Sequence, residues 1–174
     1  MSDNNMKVTL QGNPVTLAGG MPENGAVIPD AVLIDNSLNA VSLKDYIGKI
    51  LILSSVPSLD TPVCHIETKK FNEEASALGE DVLVLTISMD LPFAQKRWCA
   101  AEGVDRVVTL SDHRDAAFGQ AFGVLIKELR LDARAVFVVD GQGVLRYTQL
   151  VEEVSNEPDY EEIMTVVREL LKGE

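Results

Sequence analysis

The chain has 174 residues, 46% of them hydrophobic, and a formal net charge of −12. That length can bury the core of one compact domain, and we expect a single domain over residues 1–174. Such an acidic balance excludes a nucleic-acid binder, whose phosphate contacts need clustered Lys and Arg. The longest apolar runs are too short to span a bilayer, and Met1 to Asn5 lacks the basic and apolar regions of a signal peptide, so a cytoplasmic address is expected.

In chain order, Lys7 to Leu10 and Val15 to Leu17 alternate apolar and polar residues around Gly12-Asn13-Pro14, which predicts an N-terminal β-hairpin. Gly19 to Pro29 reads as a loop, and Ala31 to Ile34 as a short strand. Ser42 opens a Ser-x-x-Asp capping pattern for a short helix stopped by Gly48. Ile50 to Val56, Val82 to Ile87 and Val107 to Leu110 are apolar runs of the kind buried on both faces of a sheet. Between the first two, Phe71, Ala75 and Leu78 mark one face of a helix over Thr61 to Leu78, stopped by Gly79. Between the next two, Asp90 is expected to cap a helix with Pro92 in its first turn, ending near Gly103. Ala116 to Phe122 suggests another short helix, and Ala135 to Val139 with Val144 to Leu150 a second hairpin. Ile163, Val166, Val167 and Leu170 give the closing helix an apolar face. This order predicts an α/β protein with a thioredoxin-like fold, a mixed central sheet flanked by helices, and an N-terminal β-hairpin.

The chemistry concentrates in Pro57-Ser-Leu-Asp-Thr-Pro-Val-Cys64, which leaves a buried strand and enters the first turn of a helix. Ligands of open α/β sheets bind at that edge. A thiol there faces unpaired backbone N–H groups and the positive end of the helix dipole, both of which favour the thiolate. Pro57 and Pro62 stiffen the loop, and Thr61 places a hydroxyl three residues before the cysteine. Such a thiolate can attack an O–O bond and become a sulfenic acid. The alternative reading of Cys64 is a small buried hydrophobe. His65 diverges from Cys64 by about 100° on a helix and is expected at the rim. Asp60 is expected to face away or to pair with a cation, and Glu67 to be a solvated helix charge. From spacing alone, Arg134 reads as a surface arginine at a strand start; the alternative reading of Cys99 is core filler beside Trp98. The two cysteines and two histidines lack metal-ligand spacing, so no zinc site is expected.

Pro57-x-x-x-Thr61-x-x-Cys64 resembles the active-site motif of the peroxiredoxins. The fuller Pro-Ser-Leu-Asp-Thr-Pro-Val-Cys, with Lys70-Phe-Asn-Glu73, Lys96-Arg-Trp-Cys-Ala-Ala-Glu-Gly103 and Ala133-Arg-Ala-Val-Phe-Val-Val-Asp140, is similar to their thiol peroxidase branch, of the atypical 2-Cys kind. The resemblance covers nearly the whole chain. It implies a peroxidatic Cys64, a resolving Cys99 and an intramolecular disulfide between them, with Thr61 and Arg134 completing the peroxide site. It further implies a homodimer reduced by thioredoxin, acting on hydrogen peroxide or organic hydroperoxides without metal, haem or flavin. Two positions depart from the pattern: Val56 stands where relatives usually carry Phe, and Lys69 where they often carry Arg. Other readings of the same thiols are a redox-sensing or chaperone-like binding protein and an α/β domain with inert cysteines. A disulfide needs Cα atoms within about 7 Å, so two helix-borne cysteines are expected to meet only after local unwinding.

Overall fold

The computed structural model describes residues 8–173. The N-terminal hairpin pairs β1 (Val8–Leu10) with β2 (Asn13–Val15), so Asn13 and Pro14 belong to the second strand and not to the turn. The turn is Gln11-Gly12, both at positive φ (52° and 82°), the tight geometry whose twist matches that of two-residue hairpins. The expected start of the first strand at Lys7 lies outside the described residues. Leu17–Ala18 (β3) joins a separate small sheet with Leu125–Ile126 (β9) and Leu131–Asp132 (β10), a pairing without sequence forewarning.

The main sheet has seven strands. Besides β4 (Val32–Ile34) and β5 (Ala40–Ser42) it contains β6 (Ile50–Ser55), β7 (Val82–Ser88), β8 (Val107–Ser111), β11 (Ala135–Val139) and β12 (Leu145–Leu150), in the order β12-β11-β6-β7-β8-β4-β5. β6, β7 and β8 run parallel, while β11 and β4 flank them antiparallel. The expected capping box is present: Ser42 and Asp45 cap each other's turn at the 3-10 helix Leu43–Tyr46.

Alternation along the central strands divides the core in two. Leu51, Leu53, Leu85, Ile87, Phe137 and Val139 face one way, where they meet Phe118 and Phe122 from α3 (Ala117–Ala121) and its flank. Ile50, Ile52, Val82, Val84, Val136 and Val138 face the other way. They pack there against Phe71 and Ala75 of α1 (Pro62–Leu78) and Ile163, Met164 and Val167 of α4 (Tyr160–Gly173). β6 is buried along its whole length, as a continuous apolar run requires when helices cover both faces. α2 (Pro92–Glu102) completes the second layer, ending at Gly103 in the left-handed region (φ 65°). Its cap differs from expectation: Leu91 is the N-cap residue without a side-chain bond, and the Asp90 carboxylate is engaged elsewhere.

Candidate active site

At the C-terminal end of β6 the apolar run gives way to Ser54 and Ser55, still alternating between the faces. Ser55 turns to the α3 side and donates to the Ala133 carbonyl at 2.7 Å. Ser54 turns to the α1 side and donates to Glu67 Oε1 at 3.0 Å. The chain then passes through buried Val56 and Pro57 into the loop that ends at Thr61.

Thr61 is the N-cap of α1. Its hydroxyl oxygen accepts the Cys64 N–H at 3.3 Å, and its proton goes to the Ser58 carbonyl at 3.2 Å. The threonine thus reaches Cys64 through the backbone, while Pro62 occupies the helix position whose N–H would have no partner. Cys64 is fully buried, packed with Val56, Leu59 and the half-buried Trp98. Departure of Val56 from the usual Phe therefore falls on a side chain touching this small cluster.

Arg134 is buried, which overturns the surface reading drawn from spacing. It precedes β11, whose Ala135 pairs with Ser55, and strand alternation puts it on the same face as Val136 and Val138, toward α1. Each part of the guanidinium has a partner: Nη2 donates to Cys64 Sγ at 3.1 Å, Nε to the Val154 carbonyl at 2.8 Å, and Nη1 to Glu67 Oε2. Burial alone would pull this guanidinium's pKa down. Glu67 and Cys64 more than offset it, and the group is held above its ordinary value.

Glu67 corrects a second expectation. It is fully buried and not a solvated helix charge. Burial pushes its carboxyl up, opposed by Arg134 and Ser54. The signal was available: Cys64, Glu67 and Phe71 lie at i, i+3 and i+7, the spacing of a helix's inner face. Thiol, guanidinium and carboxylate form one line, so a positive group touches the sulfur and is itself neutralised from behind. This arrangement offers a charged donor to an oxygen arriving beside the sulfur.

The remaining expected residues lie at the periphery. His65 is half-exposed at the rim, edge-on to Trp98 at 5.4 Å between ring centres and 3.3 Å from Glu102. Lys69 is 3.8 Å from the same Glu102, so its charge is directed to the end of α2. Asp60 is exposed. Cys99, next to Trp98 on α2, has its sulfur 3.6 Å from the Thr109 hydroxyl, which in turn donates to Asn36 Oδ1 at 3.0 Å. Burial pushes the Cys99 thiol up, with Thr109 partly opposing. Both cysteines are free thiols in different surroundings: Cys64 against Arg134, Cys99 against Thr109.

Comparison with known proteins identifies the family and the fold. The Redoxin family model matches residues 23–164. Thiol peroxidase of Oceanobacillus iheyensis is 55% identical over 158 residues, covering 91% of this chain and 96% of its own. Thiol peroxidase of Bacillus subtilis is 53% identical over 166 residues, covering 95% and 99%. Among solved structures, a peroxiredoxin-like protein from Aquifex aeolicus superposes with a TM-score of 0.88 at 42% identity, covering 95% of this chain and 97% of its own. Thiol peroxidase from Chromobacterium violaceum shares the fold (TM-score 0.87, 17% identity, covering 98% and 100%). A buried thiol at a helix start in a thioredoxin-like α/β sheet, with identity of this extent along nearly the whole chain, places the protein in the thiol peroxidase family, an oxidoreductase of the peroxiredoxin type.

Proposed function

We propose that the chain, one domain throughout, reduces hydrogen peroxide and organic hydroperoxides with Cys64 as the attacking sulfur. The observation carrying this reading is the Arg134 guanidinium 3.1 Å from Cys64 Sγ, both groups buried. The thiolate attacks one peroxide oxygen, the O–O bond breaks, and sulfur becomes sulfenic acid while the other oxygen leaves as hydroxide or alkoxide and takes a proton. Arg134 stabilises the charge as it moves from sulfur to oxygen. Thr61, by turning its proton from the Ser58 carbonyl to the bound peroxide, supplies a second donor.

Cys99 then resolves the sulfenic acid: its sulfur bonds to Cys64 Sγ and water is released, leaving an intramolecular disulfide. The separate surroundings of the two thiols support a step in which the first turn of α1 and the neighbouring part of α2 unwind. Thioredoxin dithiol returns the disulfide to two thiols, becoming oxidised itself. A reducing compartment, the cytoplasm, suits an enzyme whose resting state is two free thiols. A homodimer is also proposed, with exposed Leu91 and Phe93 at the start of α2 as available apolar surface.

The test is a coupled assay with thioredoxin, thioredoxin reductase and NADPH. Hydroperoxide should drive NADPH oxidation over many equivalents of enzyme, and Cys64→Ser should abolish it. Stoichiometric oxidation that stops after one equivalent would indicate a sensor, and none at all an inert pair of thiols.

A further inference from the structure

Asp90 sits between β7 and α2, and its carboxylate reaches across to the loop before α1. Oδ1 accepts from the Ser58 hydroxyl at 2.7 Å, and Oδ2 from the Leu59 N–H at 2.8 Å. Oδ2 also accepts from the Ser88 hydroxyl at 2.7 Å. The residue is anchored on several sides: Ser111 of β8 donates to its carbonyl at 2.5 Å, and buried Gln95 of α2 donates to Ser88 Oγ at 3.0 Å. From Ser58 the connection continues. The Ser58 carbonyl accepts the Thr61 proton, and the Thr61 oxygen accepts the Cys64 N–H. One run of hydrogen bonds therefore links the base of the Cys99 helix to the first turn of the Cys64 helix.

We propose that Asp90 is a positioning residue for the reaction at Cys64, clamping Ser58 and Leu59 so that Thr61 caps α1 and Cys64 stays against Arg134. The proposal rests on the reading of Cys64 as the attacking sulfur. A carboxylate suits the task because it only accepts, and its lone pairs can serve all three donors. Asparagine would present an N–H₂ to at least one donor and leave it unsatisfied. The clamp acts on a choice between two arrangements. In the closed one, Cys64 lies beside Arg134 and meets peroxide; in the open one, the first turn of α1 is released toward Cys99. Holding Ser58 and Leu59 favours the closed arrangement, so loss of the clamp slows the peroxide step and spares the disulfide step.

Trp98 is the sole tryptophan and packs against the Cys64 cluster, so its fluorescence reports both steps. Reduced Asp90→Asn mixed rapidly with hydrogen peroxide should form sulfenic acid about tenfold more slowly than wild type, the size of one lost bond to a charged acceptor. Its disulfide should form as fast as in wild type or faster, and less Cys64 should over-oxidise at high peroxide. Ser58→Ala removes one of the same bonds and should slow the same step by less. It also carries the test if Asp90→Asn does not fold, and the double variant should be no slower than Asp90→Asn alone. Sulfenic acid formation in Asp90→Asn at the wild-type rate, or equal slowing of both steps, would overturn the clamp. Wild-type enzyme in the same experiment separates the two ideas: if it gives no peroxide-dependent change, the reading of Cys64 itself fails.

Discussion

Arg134 Nη2 lies 3.1 Å from Cys64 Sγ although the two residues are 70 positions apart in the chain. The contact is desolvated, so each partner depends strongly on the other. Arg134→Met keeps a similar length and removes the donors and the charge. Reaction with peroxide is expected to slow about 100-fold, the usual effect of losing a donor to a developing negative charge. Arg134→Lys should restore only part of the rate, because an ammonium lacks the fork that reaches Cys64, Glu67 and the Val154 carbonyl together. Single-turnover kinetics of the reduced variants checks this, and a wild-type rate in Arg134→Met would remove the guanidinium from the mechanism.

Glu67 balances that guanidinium, and its removal should be felt in stability. Glu67→Ala leaves a buried positive charge without its carboxylate, a change that costs about 3–5 kcal/mol in comparable pairs. Glu67→Gln retains an acceptor for Ser54 or Arg134 and should lose distinctly less. Urea unfolding of both variants measures the difference; equal midpoints for Glu67→Ala and wild type would contradict a structural role for the pair.

Cys99 is the proposed resolving thiol. One equivalent of hydroperoxide should convert the reduced chain to a species lighter by about two hydrogens, with a peptide map linking Cys64 to Cys99. In Cys99→Ser the sulfenic acid should persist or over-oxidise, and thioredoxin should recycle it poorly. Hydrogen exchange should rise around residues 61–71 and 92–103 on oxidation. Disulfides found only between different chains would contradict the intramolecular route.

A buried acid pair beneath α3 gives the protein a pH dependence unrelated to its thiols. Burial first, and the neighbouring Asp112 second, hold the Asp132 carboxyl well above the usual carboxylate range. Asp112 is also pushed up by burial, even though it accepts the Phe118 and Gly119 N–H groups at 2.9 Å. A carboxyl raised in the folded state keeps its proton where the unfolded chain has released it. The associated stability is therefore complete below about pH 4 and falls as pH rises through the folded-state value. Asp132→Asn fixes a neutral donor in the same place and should flatten this loss, leaving the variant more stable than wild type near neutrality. Urea midpoints at pH 4 through 8 decide it; parallel slopes for the two proteins would show that Asp132 does not titrate in this way.

The sequence alone determined the parts of this protein that depend on local periodicity and capping. Continuous apolar runs marked β6, β7 and β8; Thr61 and Gly79 marked the ends of α1; and Cys64 was legible as a thiol in a helix's first turn. Family motifs added Arg134 and Cys99 as candidates. Tertiary structure decided the rest. Arg134 meets Glu67 and Cys64 because β11 lies antiparallel beside β6 with Ala135 opposite Ser55, a register formed between segments some 80 residues apart. Glu67 is buried because that register supplies it with a cation, and Asp90 leaves its own helix uncapped because Ser58 and Leu59 come within reach. Charged side chains are read as solvated from sequence because desolvation is costly. Only the folded sheet, by bringing distant partners to the same edge, offsets that cost.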